Sequence, residues 1–144
     1  MKNSKEFKKI NIAGTVPALI DGEVAVTEVS AICKYLARVG PEGADLLGSS
    51  ILEQAQVEQL LSYTFSQISP NIACIAHATF GFMMPFQDEY NDAFKSLKEQ
   101  LKGINNRLAK GDRTWLVGDH CTVADIYLAG LLTSSFQTCL EQGF

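Results

Sequence analysis

The sequence predicts an α+β fold that is mostly helical, in which a β-hairpin and one helix precede an all-helical lobe. Three observations support it: an extended apolar run and an alternating segment within residues 15–27, apolar residues at helical spacing afterwards, and a helix-start motif near residue 122. The 144 residues fit one average domain or two small lobes that share a core. We divide the chain into a partial α/β unit at 1–40, a linker at 41–50 and a helical part at 51–144.

The strand pattern predicts a hairpin. Residues 15–20 form an extended apolar run, and residues 23–27 alternate at the period of a strand. Asp21 and Gly22 between them are a strong hairpin turn signal. A hairpin of two strands is marginal in water, so we expect another element to complete or cover this sheet.

Helical spacing then continues to the end of the chain. A first helix is predicted from Glu28 to Arg38, because Ile32, Tyr35 and Leu36 recur at helical spacing before Gly40 and Pro41. Glycines and serines predict the linker that follows. The helical part is predicted to contain helices at 51–69, 71–84, 86–110 and 122–139, the first two separated by Pro70.

The last of these helices begins with a capping box. In the motif Thr-x-x-Asp, Thr122 caps the N–H of Asp125, and the Asp125 carboxylate reaches back to the N–H of Thr122. Two donors that have no partner within the helix are thereby satisfied. We expect a structural role for both residues.

Composition and charge exclude several classes of function. The net charge of −4 argues against a dedicated nucleic-acid surface, and no apolar run approaches the roughly 20 residues that span a bilayer. We therefore expect neither nucleic acid nor membrane as a direct partner. The polar, lysine-rich start is unlike a secretory signal, which favours a cytoplasmic protein with reduced thiols. His77 and His120 share no ligand spacing with each other or with the four cysteines, so no metal site is predicted.

Two segments resemble the glutathione transferase superfamily. Residues 11–36 are similar to the family's Asn-Pro-x-Gly-x-Val-Pro-Ala-Leu segment and the Glu-Ser-x-Ala-Ile helix start that follows it. Residues 115–125, Trp-Leu-Val-Gly-Asp running into the capping box, resemble the start of the family's core helix. The resemblance implies a partial thioredoxin-like unit at 1–40 and an all-α lobe of the family's C-terminal type at 51–144.

The resemblance implies that no catalytic residue is present. Family members carry a catalytic Tyr, Ser or Cys in a strand–helix–strand that precedes the matching segment, and only about ten residues precede it here. We therefore expect a non-catalytic domain. The alternative is a glutathione transferase that lacks its N-terminal catalytic segment in this chain.

A vestigial glutathione site is implied at four positions: Val16, Pro17, Glu28 and Ser30. In the family, the residue before a cis-proline faces the cysteinyl group of glutathione, and the Glu-Ser pair holds the γ-glutamyl end. Here Val29 occupies the serine position and offers no hydroxyl, so we expect no cofactor, with weakened glutathione binding as the alternative. Ser30 as an ordinary helix cap is a competing interpretation.

Within the superfamily, the helical lobe resembles the gamma subunits of eukaryotic translation elongation factor 1. Residues 78–85 and the Arg-Thr-Trp-Leu-Val-Gly-Asp lead-in at 113–119 carry this likeness. It implies a scaffold that binds the exchange subunits of elongation factor 1 and, as a second class of partner, aminoacyl-tRNA synthetases; a docking domain of a synthetase complex and a homodimer are alternatives. The candidate contact residues are Phe80, Phe82, Met83 and Met84, for which interior packing is the competing interpretation.

Overall fold

The computed structural model describes residues 5–41, 43–83 and 86–137, and it confirms the mostly helical α+β fold. A two-stranded hairpin is flanked by a short helix and followed by helices. In chain order the elements are α1 Lys5–Ile10, β1 Ala18–Asp21, β2 Val24–Thr27, α2 Val29–Val39, α3 Gly43–Leu46, α4 Ile51–Tyr63, a π-helical segment Thr64–Ile68, α5 Ser69–Thr79, α6 Gln87–Ala109 and α7 Val123–Ser135.

The hairpin turn lies one residue later than the sequence predicts. Strands β1 and β2 are antiparallel, and Asp21 pairs with Val24. The two loop residues are therefore Gly22 and Glu23 rather than Asp21 and Gly22. Gly22 has a φ of 59°, and it stands at the first loop position, where a type II′ turn uses glycine because that position needs a positive φ.

Helix α2 covers the hairpin and joins it to the helical lobe. It contacts β2 as well as α3 and α7. The Tyr35 hydroxyl donates a short hydrogen bond to the Asp21 carboxylate at the end of β1. The Lys34 ammonium lies 2.8 Å from Glu58 Oε2 on α4. The expected cover for the sheet is thus a helix that follows it in the chain.

Helices α4 and α5 are continuous through the π-helical segment, although the sequence predicts an interruption at Pro70. Thr64 and Ser69, the residues at the two junctions, both have right-handed helical dihedrals. Pro70 lacks an N–H and its ring crowds the preceding turn, so an unbroken α-helix would be strained there. The wider π turn directly before Pro70 accommodates the proline ring, so the helix continues into α5.

The core lies where α4, α5, α6 and α7 meet, and the predicted linker contributes to it. The short helix α3 lies within the predicted linker, and Leu47, which follows it, is buried in the core with Leu46 packed against it. None of the described helices is long and apolar enough to cross a membrane. The largest fully buried apolar side chains are Val57, Leu61, Ile68, Ile75, Leu97 and Val117.

Candidate functional site

The vestigial site predicted from the sequence lies beside a groove between the start of α2 and the continuous helix formed by α4 and the π-helical segment. The start of α2 forms one wall with Glu28, Val29 and Ser30, and the groove measures about 520 Å³. The other wall is the α4–π region, which contributes Ser62, Phe65 and Ser66. The sequence analysis missed this second wall. Phe65 belongs to an apolar helical pattern there, and nothing in that pattern distinguishes a groove position from a core position.

Glu28 holds an uncommon backbone conformation at the mouth of this groove. It is the N-cap of α2 with φ 67° and ψ 123°, and its side chain makes no capping hydrogen bond. Such a conformation in a non-glycine residue costs on the order of 1–3 kcal/mol and concentrates at ligand sites. Ser30 is the second residue of the helix, so the interpretation of Ser30 as its cap is wrong.

Val16 and Pro17 lie at the same end of the hairpin as Glu28. Their peptide bond is cis. Ala18 pairs with Thr27 at the open end of the hairpin, so Pro17, directly before Ala18, and Glu28, directly after Thr27, both lie at that end. Val16 is 66% exposed. Neither residue lines the groove itself, so the four predicted positions divide into two at the groove wall and two beside it.

Phe65 in the second wall packs against another aromatic ring, and the Cys33 thiol of α2 is not activated as a nucleophile. The rings of Phe65 and Tyr127 stack with centroids 4.4 Å apart. Burial raises the pKa of the Tyr127 hydroxyl, and the neighbouring Ser69 hydroxyl opposes that shift. Burial also raises the pKa of the Cys33 thiol. A thiol whose pKa is raised stays protonated at neutral pH and is a poor nucleophile.

A second candidate surface is the turn between α5 and α6. Phe80 is 52% exposed, Phe82 is 80% exposed and Met83 is 59% exposed. Interior packing is therefore wrong for these three candidates, while Met84 lies outside the described residues. Phe86, at the start of α6, is also 80% exposed. The sequence places these four side chains within seven residues, and we call Phe80, Phe82, Met83 and Phe86 the apolar turn.

A groove between α5 and α6 adjoins the apolar turn. It measures about 640 Å³, and Met83 belongs to both features. His77 on α5 lines it and packs edge-on against Phe82, with ring centroids 6.3 Å apart. Two carboxylates, Glu89 and Asp92, line the α6 side. The combined surface is therefore apolar with an acidic border.

The predicted capping residues meet at the start of α7. Asp125 Oδ2 accepts the N–H of Thr122 at 2.9 Å and the Thr122 hydroxyl at 2.7 Å. The other half of the predicted box is wrong: the N–H of Asp125 bonds to the backbone carbonyl of Thr122 at 3.1 Å and not to its side chain, because the hydroxyl donates to the carboxylate. Thr122 is fully buried, so these bonds lie in the interior. Their role is structural and distant from any reacting group.

Two known protein families match this chain, one over the hairpin and α2 and the other over the helical part. The model described as "Glutathione S-transferase, N-terminal domain" matches residues 1–38, and "Glutathione S-transferase, C-terminal domain" matches residues 71–142. The second match covers half of the chain. The chain belongs to the glutathione S-transferase family.

Curated relatives within this family include both translation factors and transferases. The chain is 34% identical over 141 residues to elongation factor 1-gamma 3 of Oryza sativa subsp. japonica. This alignment covers 96% of this chain and 33% of the relative. It is 33% identical over 132 residues to glutathione S-transferase Z1 of Arabidopsis thaliana, covering 88% of this chain and 54% of the relative. The chain thus spans about a third of the length of the elongation factor relatives.

Solved glutathione S-transferases share the fold. The structure of the enzyme from Pseudomonas fluorescens superposes with a TM-score of 0.82 at 23% identity, covering 99% of this chain and 68% of that one. The family assignment and the likeness to elongation factor 1-gamma, both expected from the sequence, are confirmed.

Proposed function

We propose that this chain is a non-catalytic interaction domain that anchors the nucleotide-exchange subunits of elongation factor 1, with aminoacyl-tRNA synthetases as a further class of partner. The observation that carries the proposal is the apolar turn, together with the likeness to elongation factor 1-gamma over 96% of the chain. Exposed aromatic and methionine side chains clustered in one segment are typical of protein–protein contacts, because water solvates them poorly.

The border of the apolar turn indicates the chemistry of the partner segment. Glu89 and Asp92 line the adjoining groove, and Asp88 is exposed one residue before Glu89. None of the described residues that line this groove is a lysine or an arginine. A partner helix with an apolar face and flanking Lys or Arg residues would bury the aromatic side chains and pair with the carboxylates.

The groove at α2 supports a non-catalytic role. Val29 stands where the resemblance implies a serine, and it offers no hydroxyl to a carboxylate ligand at the helix start. The Cys33 thiol has a raised pKa, so it is not activated for attack. Loss of one charge-assisted hydrogen bond lowers affinity by roughly ten- to a hundredfold.

A binding experiment with a purified partner tests the proposal. The chain is mixed with a recombinant exchange subunit of elongation factor 1 from the same organism, and the complex is measured by light scattering after size exclusion. We expect a stoichiometric complex that Phe82→Ser weakens at least about tenfold, since buried aromatic anchors dominate interfaces. Ile12→Ser is the matched control, because Ile12 is 95% exposed and lies in the other unit.

The second candidate function is a glutathione transferase, which the conformation of Glu28 and the likeness to glutathione S-transferase Z1 favour. Steady-state conjugation of glutathione to chlorodinitrobenzene distinguishes the two. A rate above the uncatalysed reaction, with no exchange-subunit complex from folded protein, would replace the scaffold proposal with this one.

A further inference from the structure

The chain carries a basic depression at the end of α6 that the scaffold proposal does not use. Its lining residues are Gln56, Arg107, Lys110, Gly111 and Arg113, and it measures about 440 Å³. Three of the five are cationic and none is acidic. This concentration is unusual in a chain whose 16 acidic residues outnumber its 12 lysines and arginines. From this geometry we infer a binding site for a phosphate monoester group.

Arg107 is held in place before any ligand arrives. Its Nε donates to the backbone carbonyl of Leu116 at 2.9 Å, and its side chain is half-buried. The guanidinium group has five N–H donors, so four remain after this bond. A fixed arginine loses little side-chain entropy on binding an oxyanion, which makes the contact stronger than one from a mobile surface cation.

The other two cations are free to turn toward a ligand. The side chains of Lys110 and Arg113 are exposed, and neither forms an ion pair within the described part of the chain. Asp112 stands between them in sequence but does not line the depression. Gly111 adds a backbone N–H that has no acceptor among the described residues. The set therefore combines charge with unsatisfied donors.

The end of a helix normally repels anions, because its last carbonyls carry partial negative charge. Here three of these carbonyls already accept backbone N–H groups. Asn106 O accepts from Lys110 at 3.1 Å, Leu108 O from Arg113 at 2.9 Å and Ala109 O from Asp112 at 3.4 Å. The turn after α6 thus satisfies much of the negative end of the helix and leaves the side-chain cations to set the local potential.

The shape favours a compact dianion over a polymer. A phosphate monoester carries a charge of about −1.5 to −2 at neutral pH and three acceptor oxygens, which suits three converging cations. A nucleic-acid backbone requires an extended basic track, whereas these cations lie in one depression. The same group occurs on a phosphoserine side chain and on small phosphorylated metabolites.

Titration followed by ¹H–¹⁵N correlation spectra of the whole chain tests this site. The probes are O-phosphoserine, a short glycine peptide with one central phosphoserine, and the same peptide with serine. We expect saturable shifts of the Lys110, Gly111 and Arg113 amides with both phosphorylated probes and none with the serine peptide. Tighter binding of the peptide assigns the source to a phosphorylated segment, and equal binding assigns recognition to the phosphate group alone.

Single-residue variants distinguish binding at this site from non-specific attraction between opposite charges. Lys110→Gln and Arg113→Gln should each weaken phosphoserine binding by about ten- to a hundredfold. Lys102→Gln removes the same charge from an exposed position of α6 and should leave binding unchanged. Equal weakening by Lys102→Gln, no saturable shift by roughly 10 mM phosphoserine, or tighter binding of a single-stranded RNA oligonucleotide would overturn the inference.

Discussion

Asp125 Oδ1 accepts the backbone N–H of Leu116 at 2.8 Å, so the carboxylate that caps α7 also fixes the loop that precedes it. Its other oxygen accepts both donors of Thr122. On the opposite side, the Leu116 carbonyl accepts from Arg107 of α6. Leu116 is thereby held between two helices through its N–H and its carbonyl, and the Asp125 side chain joins the loop to the start of α7.

Replacing Asp125 should therefore cost more than the loss of a helix cap. Asp125→Ala removes the cap and leaves the half-buried N–H of Leu116 without its acceptor. We expect the free energy of unfolding to fall by about 2–4 kcal/mol, from roughly 1 kcal/mol for the cap and 1–3 kcal/mol for the unsatisfied donor. Urea unfolding measures it. Asp92→Ala, at an exposed position of α6, is the control, and an equally small loss in both variants would contradict the bridging role.

Val29 tests whether the groove at α2 retains its ability to bind glutathione. Val29→Ser places a hydroxyl at the helix start, beside Glu28 with its positive φ. We expect the affinity for glutathione, measured by isothermal titration calorimetry, to rise by roughly tenfold or more. Val39→Ser at the exposed far end of α2 should not change it. Unchanged affinity in Val29→Ser would show that the groove no longer binds this ligand.

His120 should make stability depend on pH near neutrality. Its Nδ1 lies 3.0 Å from Asp119 Oδ1, and its Nε2 lies 2.7 Å from the carbonyl of Asp45. The Asp119 hydrogen bond, followed by that carbonyl, raises the pKa of His120 above its ordinary 6.5. Only the protonated ring donates to both acceptors.

The sign follows from the raised pKa. The contribution of His120 to stability is complete below about pH 6.5 and is lost as the pH rises through the folded-state value. The same hydrogen bond lowers the pKa of Asp119 below 3.8, so the Asp119 contribution is lost only in stronger acid. We expect His120→Gln to reduce the urea midpoint more at about pH 5.5 than at about pH 8.5. An equal reduction of the urea midpoint at both pH values would show that the protonated ring does not contribute to stability.

Gly48 and Gly103 form a matched pair for backbone effects. Gly48 has φ 94°, and a Cβ there would lie 2.8 Å from the Glu53 Cβ. Gly48→Ala should lower the free energy of unfolding by at least about 1–3 kcal/mol. Gly103 lies inside α6, where a Cβ would meet nothing within 4 Å. Gly103→Ala should stabilise the protein by about 0.5–1 kcal/mol. Thermal unfolding compares them, and a stabilised Gly48→Ala would show that the loop adjusts freely.

Local patterns predicted the elements better than their junctions. The alternation of apolar residues predicted the hairpin, and their helical spacing predicted α2, α6 and α7. These patterns are informative because they reflect which face of an element is buried. Pro70 was misjudged as an interruption, since a π turn that absorbs a proline leaves no compositional signal. The burial of Leu47 inside the predicted linker leaves no such signal either. Leu46 and Leu47 stand among glycines and serines, and the burial of Leu47 depends on the lobe beside it.

The sequence by itself determined the fold class, the family and the identity of the capping residues. These rest on short-range spacing and on motifs that stay adjacent in the chain. Only the tertiary structure decided which residues form grooves and exposed surfaces. Phe65 joins Glu28 at a groove, Arg107 joins Gln56 at a depression, and Phe82 is exposed although its pattern equally suits a core. Binding surfaces combine residues distant in sequence, and burial depends on what packs above a residue, so neither is encoded in local periodicity.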